Sequence, residues 1–175
     1  MAKLVLASGS PRRQELLERI GLKFTVRVPE VEERLPEGLN PRETVEALSR
    51  RKAAAADLAP DEIGIAADTM VFLDGKRLGK PADEAEALFM LTALQGRRHI
   101  VCTGVTVRQR ERLLTESEET AVWFRPAGQE ELNAMSAPGN LWIRREPTAS
   151  RAGGPCWRSG LRETTLTSSD YPCCV

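Results

Sequence analysis

Residues 4–13 read LVLASGSPRR, an apolar run followed at once by small, polar and basic residues. The apolar run predicts a short buried strand. Ser10 suits the N-cap of a helix and Pro11 suits its first position, so the strand is expected to lead directly into a helix that ends at Gly21. The face of this helix that is expected to be buried carries Leu16, Leu17 and Ile20.

Strand and helix patterns alternate along the chain as far as residue 124. Asn40 and Pro41 open a second predicted helix, and a third is expected to end at Gly96. Apolar patterns typical of strands lie at residues 24–28, 63–72, 100–107 and 119–124. Strands that alternate with helices predict an α/β fold in which helices pack on a sheet.

Composition limits the classes of protein to be considered. The chain has 175 residues, 41% of them apolar and 29% charged, which suits one domain with a hydrophobic core. The 25 basic and 25 acidic residues cancel, so neither nucleic acid nor a membrane is expected as a partner. We find no signal peptide and no long apolar span, and therefore expect a soluble, cytoplasmic protein. The four cysteines lack the spacing of a zinc site or a disulfide framework.

The first candidate site is SGSPRR at residues 8–13, where a strand is predicted to end and a helix to begin. Helix N–H groups, the hydroxyls of Ser8 and Ser10, and the guanidinium groups of Arg12 and Arg13 could converge there on an anion such as a phosphate. The alternative is a serine cap followed by two surface arginines. The segment lacks the spacing of a Walker A loop, which disfavours a P-loop kinase or GTPase.

Asp68 and Thr69 place a carboxylate and a hydroxyl at the predicted end of an otherwise apolar strand. A buried carboxylate is costly unless a cation or a substrate proton compensates it. Asp68 is therefore a candidate general base or metal ligand. A turn or capping aspartate at a strand end is the alternative.

Further charged residues lie on the predicted loops and helices. Glu32 and Glu33 follow the second strand, where a solvated acidic loop is the alternative to a functional role. Lys52 and Lys80 are two of only five lysines. Lys80 lies in a turn that could direct its ammonium at a phosphate, with an ordinary exposed lysine as the alternative. His99 lacks a serine or cysteine partner and is interpreted as structural. Anion donors, a carboxylate and lysines together suit metal-assisted attack of water on a phosphoanhydride.

Five segments together resemble the Maf family. They are LASGSPRRQELL at 6–17, VEE at 31–33, AADT at 66–69, LGKP at 78–81 and FRP at 124–126. The resemblance implies a mixed sheet flanked by helices, similar to the fold of inosine triphosphate pyrophosphatases. It also implies a cytoplasmic enzyme that converts a nucleoside triphosphate into the monophosphate and pyrophosphate, uses a divalent cation (Mg²⁺ or Mn²⁺), removes unwanted nucleotides and inhibits septum formation.

The resemblance also implies roles for individual residues. Asp68 corresponds to the proton acceptor and, with Glu33, to the acidic partners of the metal. The implied phosphate contacts are Ser8, Arg13, Lys52 and Lys80. Arg12 and Thr69 match the positions that set base preference, and an arginine and a threonine there are typical of the branch that acts on dTTP and UTP. The expected partner is a nucleoside triphosphate, and a homodimer is left open.

Residues 140–175 depart from the family. They lack apolar periodicity and the family's DKAGAYGIQG and GDYxNVVGLPL motifs. When the last base of each codon is read with the first two of the next, residues 140–154 are compatible with P-(M/L)-D-K-A-G-A-Y-G-I-Q-G. In the same frame, residues 156–175 are compatible with L-E-V-G, two variable positions and G-D-Y-F-N-V-V-G-L-P-L-L. We therefore hypothesise a single-base deletion near Gly139 and Asn140, a hypothesis that resequencing of the locus would test.

This hypothesis divides the chain into two parts. Residues 1–139 are predicted to be an incomplete Maf-like nucleotide pyrophosphatase domain, and residues 140–175 an out-of-frame, largely irregular tail. Activity is expected to be impaired, because the glutamine of GIQ and the lysine and aspartate of DKAGAYG have no counterpart. A non-catalytic nucleotide-binding protein or cell-division inhibitor is the alternative function. An α/β transferase or kinase is disfavoured because the glycine-rich fingerprints are missing.

Overall fold

The computed structural model describes residues 3–36 and 38–136, together with the backbone of residues 158–161. The strands are β1 (Lys3–Leu6), β2 (Phe24–Val26), β3 (Glu62–Leu73), β4 (Lys76–Leu78), β5 (Arg98–Gln109), β6 (Arg112–Phe124) and β7 (Arg158–Leu161). The helices are α1 (Pro11–Arg19), α2 (Pro41–Ala55), α3 (Glu84–Leu94) and α4 (Gln129–Ser136). No helix in the described part of the chain is long and apolar enough to cross a membrane.

The strands form one mixed sheet. Their order is β2-β1-β3-β5-β6-β7, with β4 paired to β3 beside this path. β1 is parallel to both of its neighbours, with Leu4 opposite Phe24 on one side and Ile63 on the other. The β3–β4 and β6–β7 pairs are antiparallel. Parallel neighbours need crossover connections, which α1 and α2 supply. The predicted α/β class with a mixed sheet and helices is confirmed.

The chain divides into two compact units. The first comprises Met1–Met70 and Cys102–Glu119, and the second comprises Val71–Val101 and Thr120–Val175. Consequently β3, β5 and β6 each contribute residues to both units.

The first unit is organised around α2, which begins with a capping box. The Asn40 side chain accepts a hydrogen bond from the Glu43 amide, and the Glu43 carboxylate accepts one from the Asn40 amide. Val45 and Leu48 of this helix are buried. A Cβ atom at Gly104 would lie 2.6 Å from the carbonyl carbon and oxygen of Val45. Only glycine therefore lets β5 approach the α2 backbone this closely.

The second unit contains the β3–β4 hairpin and the pair of helices α3 and α4. Asp74 and Gly75 both have positive φ, at 50° and 75°, which a two-residue hairpin turn requires and which Asp-Gly supplies. Leu91 of α3 and Leu132 of α4 are buried together, with Phe124 packed against them. These contacts between aliphatic and aromatic side chains form the core of this unit.

The prediction of a buried face on α1 is wrong. Leu16 is 53% exposed and Ile20 is 69% exposed, and α1 carries no buried residue. Its apolar pattern identified an apolar face correctly, but periodicity does not tell whether another element covers that face. The predicted strand at residues 24–28 is likewise shorter, and Val26 and Val28 are exposed.

The prediction of an irregular tail falls mostly outside the described residues. The described part is β7, a four-residue strand that pairs with β6 and places Leu161 opposite Val122 and Arg158 opposite Phe124. The tail prediction did not include this strand. The proposed boundary at residue 139 lies outside the described residues.

His99 is structural, in agreement with the sequence analysis. It is 3% exposed, and its ring contacts that of Phe124 edge to face, with 4.6 Å between the centroids. Burial lowers the imidazole pKa below its ordinary value of 6.5, and this effect outweighs a hydrogen bond to the Arg97 backbone. The imidazole is therefore neutral in the folded protein at neutral pH.

This burial predicts acid sensitivity. Below about pH 6.5 the unfolded chain binds a proton that the folded chain resists, so the free energy of unfolding should fall as pH falls from 7.5 to 5.5. Because His99 is the only histidine, His99→Gln should be less stable at pH 7.5 and lose less stability over this range. Urea unfolding of the two proteins at both pH values measures this difference, and identical pH dependence would contradict it.

Candidate active site

Asp68 lies within β3, five residues before the strand ends at Leu73. The prediction that it marks a strand end is wrong, because the strand continues through it. Its side chain is 8% exposed, and one carboxylate oxygen, Oδ1, lies 2.5 Å from the Lys52 ammonium. This ion pair offsets the cost of burying the carboxylate in the middle of a strand.

Lys52, in the last turn of α2, connects two carboxylates. Its ammonium donates to Asp68 Oδ1 at 2.5 Å and to Glu33 Oε1 at 3.2 Å. Glu33 lies in the segment between β2 and α2. Three residues that were singled out separately in the sequence thus meet in one cluster, which we call the carboxylate–lysine cluster.

The SGSPRR segment adjoins this cluster through Arg13. Its guanidinium donates to the Ser8 hydroxyl at 2.8 Å and to the Ala67 carbonyl at 2.9 Å. Ala67 immediately precedes Asp68, so Arg13 ties the end of β1 to the strand that carries the carboxylate. Ser10 is the N-cap residue of α1, but its side chain makes no capping hydrogen bond. Ser8 is instead the serine that interacts, since it also accepts from the Ser10 amide at 3.3 Å.

The other predicted residues lie in different positions. Arg12 lies in the first turn of α1 and is partly exposed. Thr69 is exposed, and its hydroxyl lies 3.0 Å from that of Thr103 on β5. Lys80 is exposed, follows β4 and belongs to the second unit. The contacts therefore connect Ser8 and Arg13, through the Ala67 carbonyl, to the strand of Asp68, and they join Asp68, Lys52 and Glu33. The functional roles of all eight predicted residues stay predictions.

Arg51 is a residue that the sequence analysis missed. Its guanidinium donates to the carbonyl of Glu32 at 3.5 Å and to the carbonyl of Arg34, on either side of Glu33. It thereby fixes the backbone that presents Glu33 to Lys52. Thr103 was also missed. An arginine on a helix has no motif of its own, and its sequence context does not indicate which loop will pack beside it.

The comparison with protein families decides what kind of protein carries this cluster. A family model described as Maf-like protein matches residues 3–154. The chain belongs to the Maf-like family. A relative from Symbiobacterium thermophilum named dTTP/UTP pyrophosphatase is 49% identical over 133 residues, which cover 75% of this chain and 69% of the relative. A relative of the same name from Pelotomaculum thermopropionicum is 45% identical over 142 residues, with 79% and 74% covered.

A solved structure supports the fold of this Maf-like chain. The Staphylococcus aureus Ham1 protein matches with a TM-score of 0.51 and 19% sequence identity, over 70% of this chain and 71% of that one. At this identity the match concerns the fold alone. The expected family and fold class are both confirmed.

The carboxylates of the Maf-like chain suit a divalent cation. Asp68 Oδ2 is buried and has no hydrogen-bond partner among the described residues. Mg²⁺ is usually held by one or two carboxylates together with waters and substrate phosphates, so a group of three protein ligands is not required. Within the described part of the chain there is no such group of three or more. Asp68 and Glu33 therefore fit a cation that is shared with a phosphorylated ligand.

A thiol nucleophile is excluded for Cys102. This cysteine is fully buried in β5, and burial raises the pKa of its thiol to about 11. The thiolate is the reactive form, so Cys102 is inert at neutral pH.

Proposed function

We propose that the chain is a nucleoside triphosphate pyrophosphatase that hydrolyses dTTP and UTP to the monophosphate and pyrophosphate. The observation that carries the proposal is the buried Asp68 carboxylate, with one oxygen bound to Lys52 and the other buried without a hydrogen-bond partner among the described residues. The names of the relatives at 49% and 45% identity support the choice of substrates. The proposed catalytic domain is residues 1–139, and its proposed location is the cytoplasm.

In the proposed reaction, Asp68 Oδ2 accepts a proton from a water molecule. The water oxygen forms a bond to the α-phosphorus, and the bond from that phosphorus to the oxygen bridging to the β-phosphorus breaks. Pyrophosphate leaves with the electron pair of that bond. Before substrate binds, Lys52 holds Oδ1 at 2.5 Å and thereby orients the carboxylate.

Basic residues of the chain bind the phosphates in this scheme. Arg13, whose guanidinium is oriented by the Ser8 hydroxyl and the Ala67 carbonyl, binds a phosphate in this scheme. The proposal also includes the phosphate roles that the family resemblance implies for Lys52 and Lys80 and the base contacts that it implies for Arg12 and Thr69. Asp68 and Glu33 would hold a divalent cation, which would supply positive charge against the negative charge that develops on the phosphates.

The experiment that tests this proposal is hydrolysis of dTTP in ¹⁸O-labelled water, with Mg²⁺ or Mn²⁺ present. The expected products are dTMP and pyrophosphate in equal amounts, with the label in dTMP. The label in pyrophosphate, or release of inorganic phosphate and dTDP, would overturn the proposed attack on the α-phosphorus.

Arg51→Gln should weaken the metal site through Glu33 without contacting substrate. Loss of the two carbonyl contacts frees the segment around Glu33. We therefore expect the Mg²⁺ concentration for half-maximal pyrophosphate release to rise by about tenfold, which is typical when a residue that orients a metal ligand is replaced. Arg108→Gln is the matched control, because Arg108 also donates to backbone carbonyls, those of Ala53 and Ala54, and these do not flank Glu33 in the chain.

Three outcomes of this comparison are informative. An altered Mg²⁺ requirement in Arg51→Gln alone, at an unchanged melting temperature, supports a positioning role. Arg51→Lys should restore part of the loss, since an ammonium can still donate to one carbonyl. Equal Mg²⁺ requirements in all the variants would contradict the role.

A further inference from the structure

Lys52 lies between the two carboxylates that are proposed to bind the divalent cation. Its ammonium is 2.5 Å from Asp68 Oδ1 and 3.2 Å from Glu33 Oε1. The sequence resemblance implied that Lys52 contacts phosphate. In the structure its ammonium contacts both carboxylates and offsets one of their two negative charges.

The burial of the cluster makes this charge balance important. The side chains of Asp68 and Lys52 are 8% and 18% exposed, so water screens their interaction poorly. If a divalent cation bound Asp68 and Glu33 while Lys52 kept its position, the Lys52 ammonium would contact the same two carboxylates that bind the cation. Like charges at such a distance repel strongly in a partly buried site.

An arriving triphosphate changes this balance. Its phosphate oxygens offer the ammonium another anionic partner, and they offer the metal additional ligands. Lys52 is joined to the backbone by a flexible four-carbon chain, so its ammonium can move from carboxylate to phosphate without a change in fold.

We propose that Lys52 excludes free divalent cations from the carboxylate–lysine cluster, so that the cation enters only together with the phosphates of a nucleotide. This inference rests on the proposed function, because it assumes that the anionic ligand is a nucleoside triphosphate. It assigns the true ligand of the site as a metal–nucleotide complex, and it gives Lys52 one role before that complex binds and another afterwards.

The test measures binding of Mn²⁺ alone, without nucleotide, to the full chain. Electron paramagnetic resonance of free Mn²⁺ gives the dissociation constant. Lys52→Gln should bind Mn²⁺ at least about tenfold more tightly than the unmodified chain, because a contact charge in a partly buried site is removed. Mn²⁺ should also raise the melting temperature of Lys52→Gln and leave that of the unmodified chain nearly unchanged.

Two variants serve as controls. Lys52→Arg keeps the positive charge and should bind Mn²⁺ as weakly as the unmodified chain. Lys3→Gln removes an ammonium from an exposed pair with Asp61 and should not change Mn²⁺ binding. Addition of Asp68→Asn to Lys52→Gln should abolish the gain, which places the bound ion at the cluster.

The outcomes separate this inference from the proposed function. Unchanged Mn²⁺ affinity in Lys52→Gln, or an equal gain in Lys52→Arg, overturns the inference even if the chain hydrolyses dTTP. Tighter Mn²⁺ binding in Lys52→Gln supports it even if no nucleotide is hydrolysed. If Lys52→Gln folds only when Mn²⁺ is present, the ion has replaced the ammonium and the inference stands; if it stays unfolded with Mn²⁺, the inference fails.

Discussion

Asp68→Asn, made in the chain with its reading frame restored after residue 139, is expected to lower kcat for pyrophosphate release by about two to four orders of magnitude. Asparagine has the shape of aspartate and can still accept a hydrogen bond from Lys52, but it cannot take a proton from water. Nucleotide binding should therefore persist. Initial rates of pyrophosphate release and calorimetric titration with dTTP measure the two quantities separately.

Glu62→Gln is the matched control for this prediction. Glu62 is a second buried carboxylate on β3, where it forms a two-pronged ion pair with Arg27, with both distances 2.7 Å. The Arg27 guanidinium holds the pKa of this carboxyl below its ordinary value of 4.5, so the pair stabilises the fold above that pH and is lost as pH falls through the folded value. Glu62→Gln should thus lower stability at pH 7 and leave kcat unchanged. Substantial pyrophosphate release by Asp68→Asn would contradict the role of Asp68 as the base.

Restoring the reading frame from residue 140 onwards is expected to raise pyrophosphate release by about a hundredfold or more. The restored segment supplies DKAGAYGIQG, whose lysine, aspartate and glutamine the 175-residue chain lacks, and loss of a single such stabilising contact in an active site typically costs about two to three orders of magnitude. The restored chain should also unfold at a higher temperature. Pyrophosphate release and circular dichroism, measured on both chains, test this.

A chain truncated after residue 139 is the control for restoration. It should be as inactive as the 175-residue chain if the present tail contributes nothing. Equal activity of the 175-residue and restored chains would contradict the frameshift hypothesis. An active 175-residue chain that loses its activity on truncation after residue 139 would also contradict it.

The elements that position the site could be predicted from the sequence, because each has a local cause. Asn40, Pro41 and Glu43 start α2, the helix that carries Lys52, by capping chemistry. The motif that contains Ser8 and Arg13 was also recognisable. These signals depend on neighbours in the chain, and a sequence records those directly.

The features that escaped prediction depend on partners that are distant in the chain. Asp68 was expected to lie at the end of its strand, yet the strand continues through it, and Lys52, 16 residues earlier in the chain, compensates the buried carboxylate. Arg51 contacts a loop 17 residues away through carbonyl groups, which every residue possesses and which therefore leave no trace in the sequence. The apolar face of α1 was visible in the sequence, but its exposure was not.

The most direct measurement is the rate of pyrophosphate release from dTTP, UTP and GTP, with Mg²⁺ or Mn²⁺, by the 175-residue chain and the frame-restored chain in parallel. We predict that the restored chain releases pyrophosphate from dTTP and UTP much faster than from GTP, and that the 175-residue chain is far slower on each. Absence of pyrophosphate release from all three nucleotides by both chains would contradict the assignment as a nucleoside triphosphate pyrophosphatase.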